Sequence, residues 1–438
     1  MSPYAWLRQQ SRLIFTLALL GTVAALAVAF WLLFHFVRPA PPRTVVISAG
    51  AEGGAYAMFA AHYRDALARD GVEVLIRPSA GAVDNLRILK TSTDIDLGFV
   101  QGGIANEPES TDLMLLGSMY VEPVWIFHRL PSPAPTRLNA LAGRRIAVGS
   151  AGSGTQLLAL QLLGLAGVPI DAANLLMSDS QSTADALLAG EIDAAFVVGA
   201  PEAPAVRRLL DAPGIALLDL AHADAYVRRL PHLTALTLPA GAIDLASVRP
   251  AADVRMLGAT ANLVARADLH PAIVSLLMLA ARDIHGQPGL FQGIGEYPQL
   301  RTNELPHSPT ARRFLDSGPP LLQRYLPFWI AVLVDRLLVA LLPVIALLIP
   351  LLRIAPALYA WRMRSRIYRL YGELKFLERD IADSFEPARG EDYLARLDRI
   401  EDQANRKRVP LAFTNELYTL REHIQLVRRS LAHKLTGG

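Results

Sequence analysis

The chain contains no cysteine. That excludes a disulfide framework, a thiolate nucleophile and any cysteine-ligated metal centre; it suits an oxidising compartment without proving one. Charge is sparse as well: Asp, Glu, Lys and Arg make up 19% of the residues against 52% hydrophobic, and the formal net charge is +3. So small a net charge gives no ground for nucleic-acid binding. High apolar content with low charge is what a globular domain plus membrane segments would give, and 438 residues leave room for two or three domains. The charge is uneven. Residues 353–438 hold 17 Lys/Arg against 12 Asp/Glu, a net of +5, so by subtraction from +3 the rest carries −2. The basic excess gathers in Arg353, Arg362, Arg364, Arg366 and Arg369.

Catalytic signatures are also missing. There is no Gly-x-Ser-x-Gly elbow and no His-Glu-x-x-His pair. The ten histidines are scattered, and His62, His222, His232 and His285 show no ligand spacing. Residues 149–155 have the glycine spacing of a P-loop, but Gly154 and Thr155 stand where that loop needs lysine, which disfavours nucleotide hydrolysis. The sequence therefore predicts neither an enzyme nor a cofactor or metal protein.

What is present begins with two long apolar runs. Residues 13–37 carry no Asp, Glu, Lys or Arg. As a helix they would span roughly 37 Å, more than the ~30 Å hydrocarbon core. Arg8 and Arg12 precede them and place the N-terminus in the cytoplasm. The competing reading is a cleaved signal peptide, since Ala25-Leu26-Ala27 is a small-x-small site. The second run, 326–352, is interrupted only by Asp335 and Arg336. Its uncharged part, 337–352, would span ~24 Å, with Pro343 and Pro350 as kinks. Residues 325–329, Tyr-Leu-Pro-Phe-Trp, look like an interfacial aromatic belt leading in. The competing reading is a buried pair of core helices. The expected organisation is an anchor over 1–37, a stiff Pro-rich linker over 38–43, an outer domain over 44–325, a second span over 326–352 and a cytoplasmic helical tail over 353–438. Both termini then lie inside an inner membrane, with the main domain in the periplasm.

The tail shows helical spacing over 368–381 and 393–408, with Leu394, Leu397 and Ile400, and again over 413–435 at Leu417, Leu420, Ile424, Val427 and Leu431. The break at Pro387-Ala388-Arg389-Gly390 predicts a helical hairpin. A segment this short cannot bury a large core alone, so it is expected to pack on a partner or in a homodimer.

Residues 44–325 alternate short apolar runs with amphipathic helical stretches, which predicts an α/β fold with a mainly parallel sheet. Expected strands are 44–48, 72–77, 95–100, 145–148 and 192–198. Each ends at a small, polar, mostly glycine-containing loop: 49–54, 78–81, 101–103, 149–155 and 199–201. Ligands of open α/β sheets sit outside the carboxyl ends of strands. Where such a loop opens a helix, free N–H groups and the positive dipole end face it. Two together would hold a carboxylate or phosphate without a lysine.

Residues 47–56, 77–86, 97–101 and 143–155 resemble, in this order, the TAXI-type solute receptors of TRAP transporters. The resemblance covers about 44–315. The stretch with Ser317-Gly318-Pro319-Pro320, residues 325–328 and the apolar run after Asp335 is similar to the membrane-tethered branch. It implies a type II-like periplasmic binding protein fold. Lobe one would be about 43–128 plus 236–315 and lobe two about 129–235, joined by crossing strands and closing on a ligand. It implies a glycine-tyrosine turn at Gly53, Gly54 and Tyr56; a Gly-x-x-x-Asn-Leu element at Gly81, Asn85 and Leu86; a glutamine at Gln101; and the loop Gly152-Ser153-Gly154-Thr155 following Ser150. Departures stand at Ala49, Ala51, Glu52, Ala57 and Ala80, where the family more often has threonine, glycine or a second tyrosine.

On this resemblance the chain captures a small anionic or zwitterionic solute, an organic acid or amino acid, and hands it to TRAP-type permease subunits at the lipid bilayer. Tyr56 would cover the ligand and donate a hydroxyl. Ser153, Thr155 and the N–H groups of 152–155 would hold its acid group. Asn85 and Gln101 would read its polar remainder. Arg77 is a candidate counter-charge, and Glu52 would meet an amino group if it faced inward. The second span and long tail leave a ligand sensor or scaffold open as the alternative.

Overall fold

The structure, a computed structural model, describes residues 40–105, 112–131, 135–169, 174–302, 304–407 and 409–435, together with Leu20, Ala24, Ala27, Val28 and Trp31. Apart from those five positions, each helical and exposed, the expected N-terminal span lies outside the described residues. So do several side chains between 342 and 358. Among the described residues no helix is long and apolar enough to cross a membrane. The chain divides into two units, Pro39–Val334 and Asp335–Gly438 with Met1–Arg38.

In the first unit β1 (Thr44–Ser48) buries Val45 and Ile47 by strand alternation. α1 (Ala55–Ala68) buries Tyr56, Ala60, Tyr63 and Leu67, spaced three or four apart, as one stripe. β2 (Glu73–Arg77), α2 (Ala82–Thr91) and β3 (Leu97–Gln101) complete a parallel β-α-β-α-β run, with β2 and β3 flanking β1. β4 (Leu113–His128) follows and is buried at every position. The second half holds β5 (Ile146–Ala147), α3 (Gly154–Leu165), β6 (Leu175–Leu176), α4 (Ser180–Ala189), β7 (Ala194–Val198), α5 (Pro204–Asp211), β8 (Ala216–Leu217) and α6 (Ala223–Arg229). β9 (Thr234–Leu238) and β10 (Val254–Arg266) lead back, and α7 (Pro271–His285), α8 (Pro309–Ser317) and α9 (Leu321–Tyr325) pack outside.

The strand order is β2-β1-β3-β10-β4-β7-β5-β6, with β9 on β10 and β8 on β4. This corrects the expectation of a mainly parallel sheet. Parallel pairs occur only at the two ends, while β10 runs antiparallel to β3, β4 and β9, and β4 antiparallel to β7 and β8. The reason is connectivity: β4 and β10 carry the chain between the halves in opposite directions. Both halves therefore share a two-strand spine, and the unit is a two-lobed α/β structure. Ser118 Oγ donates to Asn262 Oδ1 across that spine at 2.7 Å, satisfying two buried polar groups.

α10 (Phe328–Asp383) begins in this unit and continues into the other without a break at Pro343 or Pro350. Its first turn corrects the aromatic-belt expectation. Phe328 joins the core of the α/β unit. Trp329 Nε1 donates to Asp70 O at 2.7 Å, and the Arg43 guanidinium lies 5.5 Å over its ring. The residues expected at a lipid interface are committed to the domain; Tyr325 alone of the three aromatics is largely exposed.

The tail also differs from expectation. The distal part of α10, α11 (Gly390–Arg406) and α12 (Thr414–Leu435) form three helices around their own core. Ile367, Leu370 and Leu374 meet Tyr393, Leu397 and Ile400 and then Leu420, Ile424 and Leu431, all buried within one chain. The predicted break at 387–390 is present as a 3₁₀ turn, Pro387–Arg389, and Pro410 adds a second turn that the hairpin reading lacked. With three apolar stripes facing inward, neither a partner nor a dimer is needed to cover them.

Candidate functional site

Four helices start around one cavity. Their N-cap residues, Gly54 of α1, Gly81 of α2, Ser153 of α3 and Asp179 of α4, all line it. Its volume is about 90 Å³, well below the several hundred Å³ typical of sites for larger ligands. Each helix start carries roughly half a positive charge and unpaired N–H groups. Gly54 and Gly81 provide no side-chain cap to α1 and α2.

The loops meet because glycine lets them. A Cβ on Gly81, whose φ is +134°, would lie 3.1 Å from Ser153 Cα. Asp84 N donates to Gly152 O at 3.2 Å, joining the start of α2 to the loop before α3. Gly154 has no Cβ because Gln101 Oε1 occupies that place, with Ala82 Cβ 3.2 Å away. Its requirement is close approach, since its φ is not positive.

Of the expected site residues, Gly54, Tyr56, Gly81 and Gln101 line the cavity from one half. Ser150, Ser153, Gly154 and Thr155 line it from the other. Asn85 and Gly152 do not. Asn85 is fully buried; its Oδ1 accepts from Ser48 Oγ at 2.6 Å and from Ser79 Oγ, and its Nδ2 donates to Phe99 O at 2.8 Å. It pins β1, the β2 loop and β3 together, so the role of reading the ligand is corrected to a structural one. Gly152, at φ +78°, shapes its loop: its N–H donates to Gln156 Oε1 and its carbonyl accepts from Asp84.

The hydroxyls are similarly committed. Ser153 Oγ accepts from Gln156 N at 3.1 Å and donates to Ser150 O at 2.7 Å, capping α3. Thr155 Oγ1 accepts from Val198 N at 3.3 Å. What α3 offers the cavity is the backbone, the first N–H groups at Gly154 and Thr155. Tyr56 is nearly buried, stacks on Phe99 at 5.1 Å and donates its hydroxyl to Glu122 Oε2 at 2.9 Å. Its expected hydroxyl donation to the ligand is corrected accordingly. Glu52 and Arg77 are exposed, and neither lines the cavity.

The residue missed from sequence is Glu122. It sits on β4, is 2% exposed, and lines the cavity. Its other oxygen, Oε1, accepts from Tyr120 OH at 3.3 Å. Burial pushes its carboxyl up to about 7, against the opposing pull of the two phenol hydrogen bonds. Burial and the Glu122 charge together raise both phenols, so they stay protonated as donors. Asp179 lines the other side, where the Ser182 hydroxyl and the N–H groups of Ser182 and Gln181 hold its carboxyl below the ordinary range. Among the described residues no lysine, arginine or histidine lines the cavity. The available signal was Glu122 itself, the one carboxylate in the apolar run Leu113–His128. Among the described residues no group of His, Asp and Glu could hold a metal ion.

Residues 47–281, more than half of the chain, match the NMT1-like family. The chain belongs to the NMT1-like family. No curated protein matches it. Among solved structures, this NMT1-like chain is similar to one described as a periplasmic transporter, at 14% identity and a TM-score of 0.42, over 64% of this chain and 95% of that one. It is also similar to the periplasmic aliphatic sulphonate binding protein SsuA from Escherichia coli, at 17% identity and a TM-score of 0.33, over 55% and 73%. A histidine kinase sensor domain with similarity to periplasmic binding proteins matches at 16% identity and a TM-score of 0.35, over 55% and 90%. The NMT1-like chain has a two-lobed α/β unit, as its strand order shows.

Proposed function

We propose that this NMT1-like chain is the solute receptor of a TRAP-type transport system, close to the TAXI-type receptors, and that it captures a small carboxylate-bearing solute without chemical change. The observation that carries the reading is the convergence of four helix N-caps on one small cavity. Free N–H groups and helix dipoles there hold an acid group by charge-assisted hydrogen bonds. The cavity volume suits an organic acid or amino acid. On this reading residues 13–37 and the uncharged part of the second run, 337–352, tether the receptor to the inner membrane, the α/β unit faces the periplasm, both termini are cytoplasmic, and permease subunits receive the solute.

Calorimetry of the full chain in detergent micelles against C4-dicarboxylates and acidic and neutral amino acids tests the capture reading. Binding by at least one class is expected; no heat and no thermal shift across the panel refutes it. Topology has a separate test. Single cysteines replacing Pro41, His307 and Lys407 would have no native thiol background. On intact spheroplasts an impermeant thiol reagent should label the first two and spare the third; labelling of the third without lysis refutes the two-span arrangement.

A second reading, a ligand sensor, is favoured by one feature. The helix that leaves the binding unit is fixed into it by Phe328 and Trp329, a mechanical attachment that a flexible tether would not need.

A further inference from the structure

The cavity's acid-binding side is backbone, and its side-chain charge is entirely negative. Glu122 and Asp179 line it, and among the described residues no cationic side chain does. A dicarboxylate would place its second acid group in a lining whose only ionisable side chains on hand to meet it are carboxyls and phenols. Like charges at that range repel, and low-dielectric surroundings strengthen the repulsion. A ligand with one acid group and one ammonium meets neither problem.

Glu122 is built to receive the ammonium. Both of its oxygens already accept hydrogen bonds, from Tyr56 at 2.9 Å and Tyr120 at 3.3 Å. Two donating phenols hold the carboxyl in place and favour its ionised, acceptor-only form. Each carboxylate oxygen retains a second lone pair, and the residue lines the cavity. The phenols are themselves fixed: Tyr56 stacks on Phe99, and Tyr120 stacks on His285 at 5.4 Å. A buried carboxylate without a cation is costly. Among the described residues no cation lines the cavity opposite it, so a ligand cation is the natural partner.

We infer that Glu122 is the specificity-determining residue of the site and that the solute is an aminocarboxylate, its acid group at the helix starts and its ammonium on Glu122. The inference rests on the capture reading above and narrows it. A consequence is proton linkage. Glu122 is half-protonated near neutrality, so ammonium binding displaces a proton, and affinity rises with pH until the carboxyl is fully ionised. The titratable groups around it are Tyr56 from α1, Tyr120 from its own strand, and Asp179 across the cavity; Glu202 and His285 approach Tyr120. The phenols stay protonated and Asp179 stays ionised between pH 6 and 8, so Glu122 alone of these cavity groups changes state there.

The test titrates the full chain in detergent micelles with matched pairs: L-alanine against propionate, and L-glutamate against glutarate. The amino acid of at least one pair should bind at least 100-fold more tightly than its deamino counterpart. Its affinity should be about tenfold weaker at pH 6 than at pH 8. Glu122→Gln, with circular dichroism to confirm folding, should bring the amino acid down to its counterpart's affinity. Should that variant not fold, the pH dependence and the pairwise preference of the unaltered chain still decide. A deamino acid that binds as tightly as its amino acid, or more tightly at pH 6, overturns the inference while leaving solute capture standing. Silence from every acid of either kind overturns the capture reading itself.

Discussion

Replacing Gly154 with valine tests whether the acid group is held by the start of α3. The new Cβ would fall on Gln101 Oε1 and lie 3.2 Å from Ala82 Cβ. Gln101 is 4% exposed and lines the cavity, so its amide must turn further into the cavity or the α3 loop must retreat. Either movement removes the N–H groups of Gly154 and Thr155 from the ligand. A hydrogen bond to a charged group contributes about 1.5–3 kcal/mol. Losing two therefore weakens binding by roughly 100-fold or more. Overpacking of the loop costs folding on the order of 1–3 kcal/mol, small enough for circular dichroism to show a folded protein. The control is Arg77→Ala, an exposed strand residue outside the cavity, whose screened charge should change affinity by no more than a factor of a few. Calorimetry with the tightest acid compares the two. If Arg77→Ala abolishes binding while Gly154→Val is nearly silent, a side-chain ion pair holds the acid group and the helix-terminus account is wrong.

Ser153→Ala removes the α3 cap and should destabilise the α/β unit by about 1 kcal/mol in urea unfolding. Trp329→Ala removes the hydrogen bond to Asp70 and a half-buried ring; about 2 kcal/mol is expected in the same assay, and an unchanged midpoint would mean that this helix start is not anchored. Leu420→Ala, at a fully buried position of the tail core, should cost about 2–5 kcal/mol and open residues 363–435 to limited proteolysis; continued resistance would contradict a self-contained three-helix core. For pH, the Glu122 carboxyl is raised from 4.5 to about 7 in the folded protein. The folded state therefore binds the extra proton in that window. Its stability contribution is full below pH 4.5 and is lost as pH rises through about 7, and Glu122→Gln should flatten that fall in urea midpoints.

The parts of the fold that alternate were legible and the parts that do not were not. β1 reads as a strand because Val45 and Ile47 share a face, and α1 as a helix because its apolar residues recur at three and four. β4 is buried along its whole length and offers no period, so the residues that join the two halves gave only an apolar run. Missing it hid the antiparallel centre of the sheet. In the tail, the three helical stretches were read correctly, and their packing into one core within the chain was not. Each stripe by itself looks unable to bury a core, but the distal end of α10, α11 and α12 turn theirs toward one another.

The site divides along a similar line. Glycine at a strand-to-helix junction has a local cause, and Gly54, Gly81 and Gly154 stand in the cavity wall as their loops implied. A polar side chain in such a loop has two claimants, the ligand and the unsatisfied backbone nearby. Ser153 and Asn85 answer the backbone, and nothing in their spacing says so. Glu122 presents the reverse case. It stands on a strand between Val121 and Pro123, outside the glycine loops in sequence, and burial in that run costs free energy that no described residue lining the cavity offsets with positive charge. A carboxyl kept in that position, with two phenols aimed at it and a cavity beside it, has its missing counter-charge in the ligand. β4 pairs with β10 along one edge and β7 along the other. It is therefore the strand from which one side chain can meet a solute enclosed between the halves.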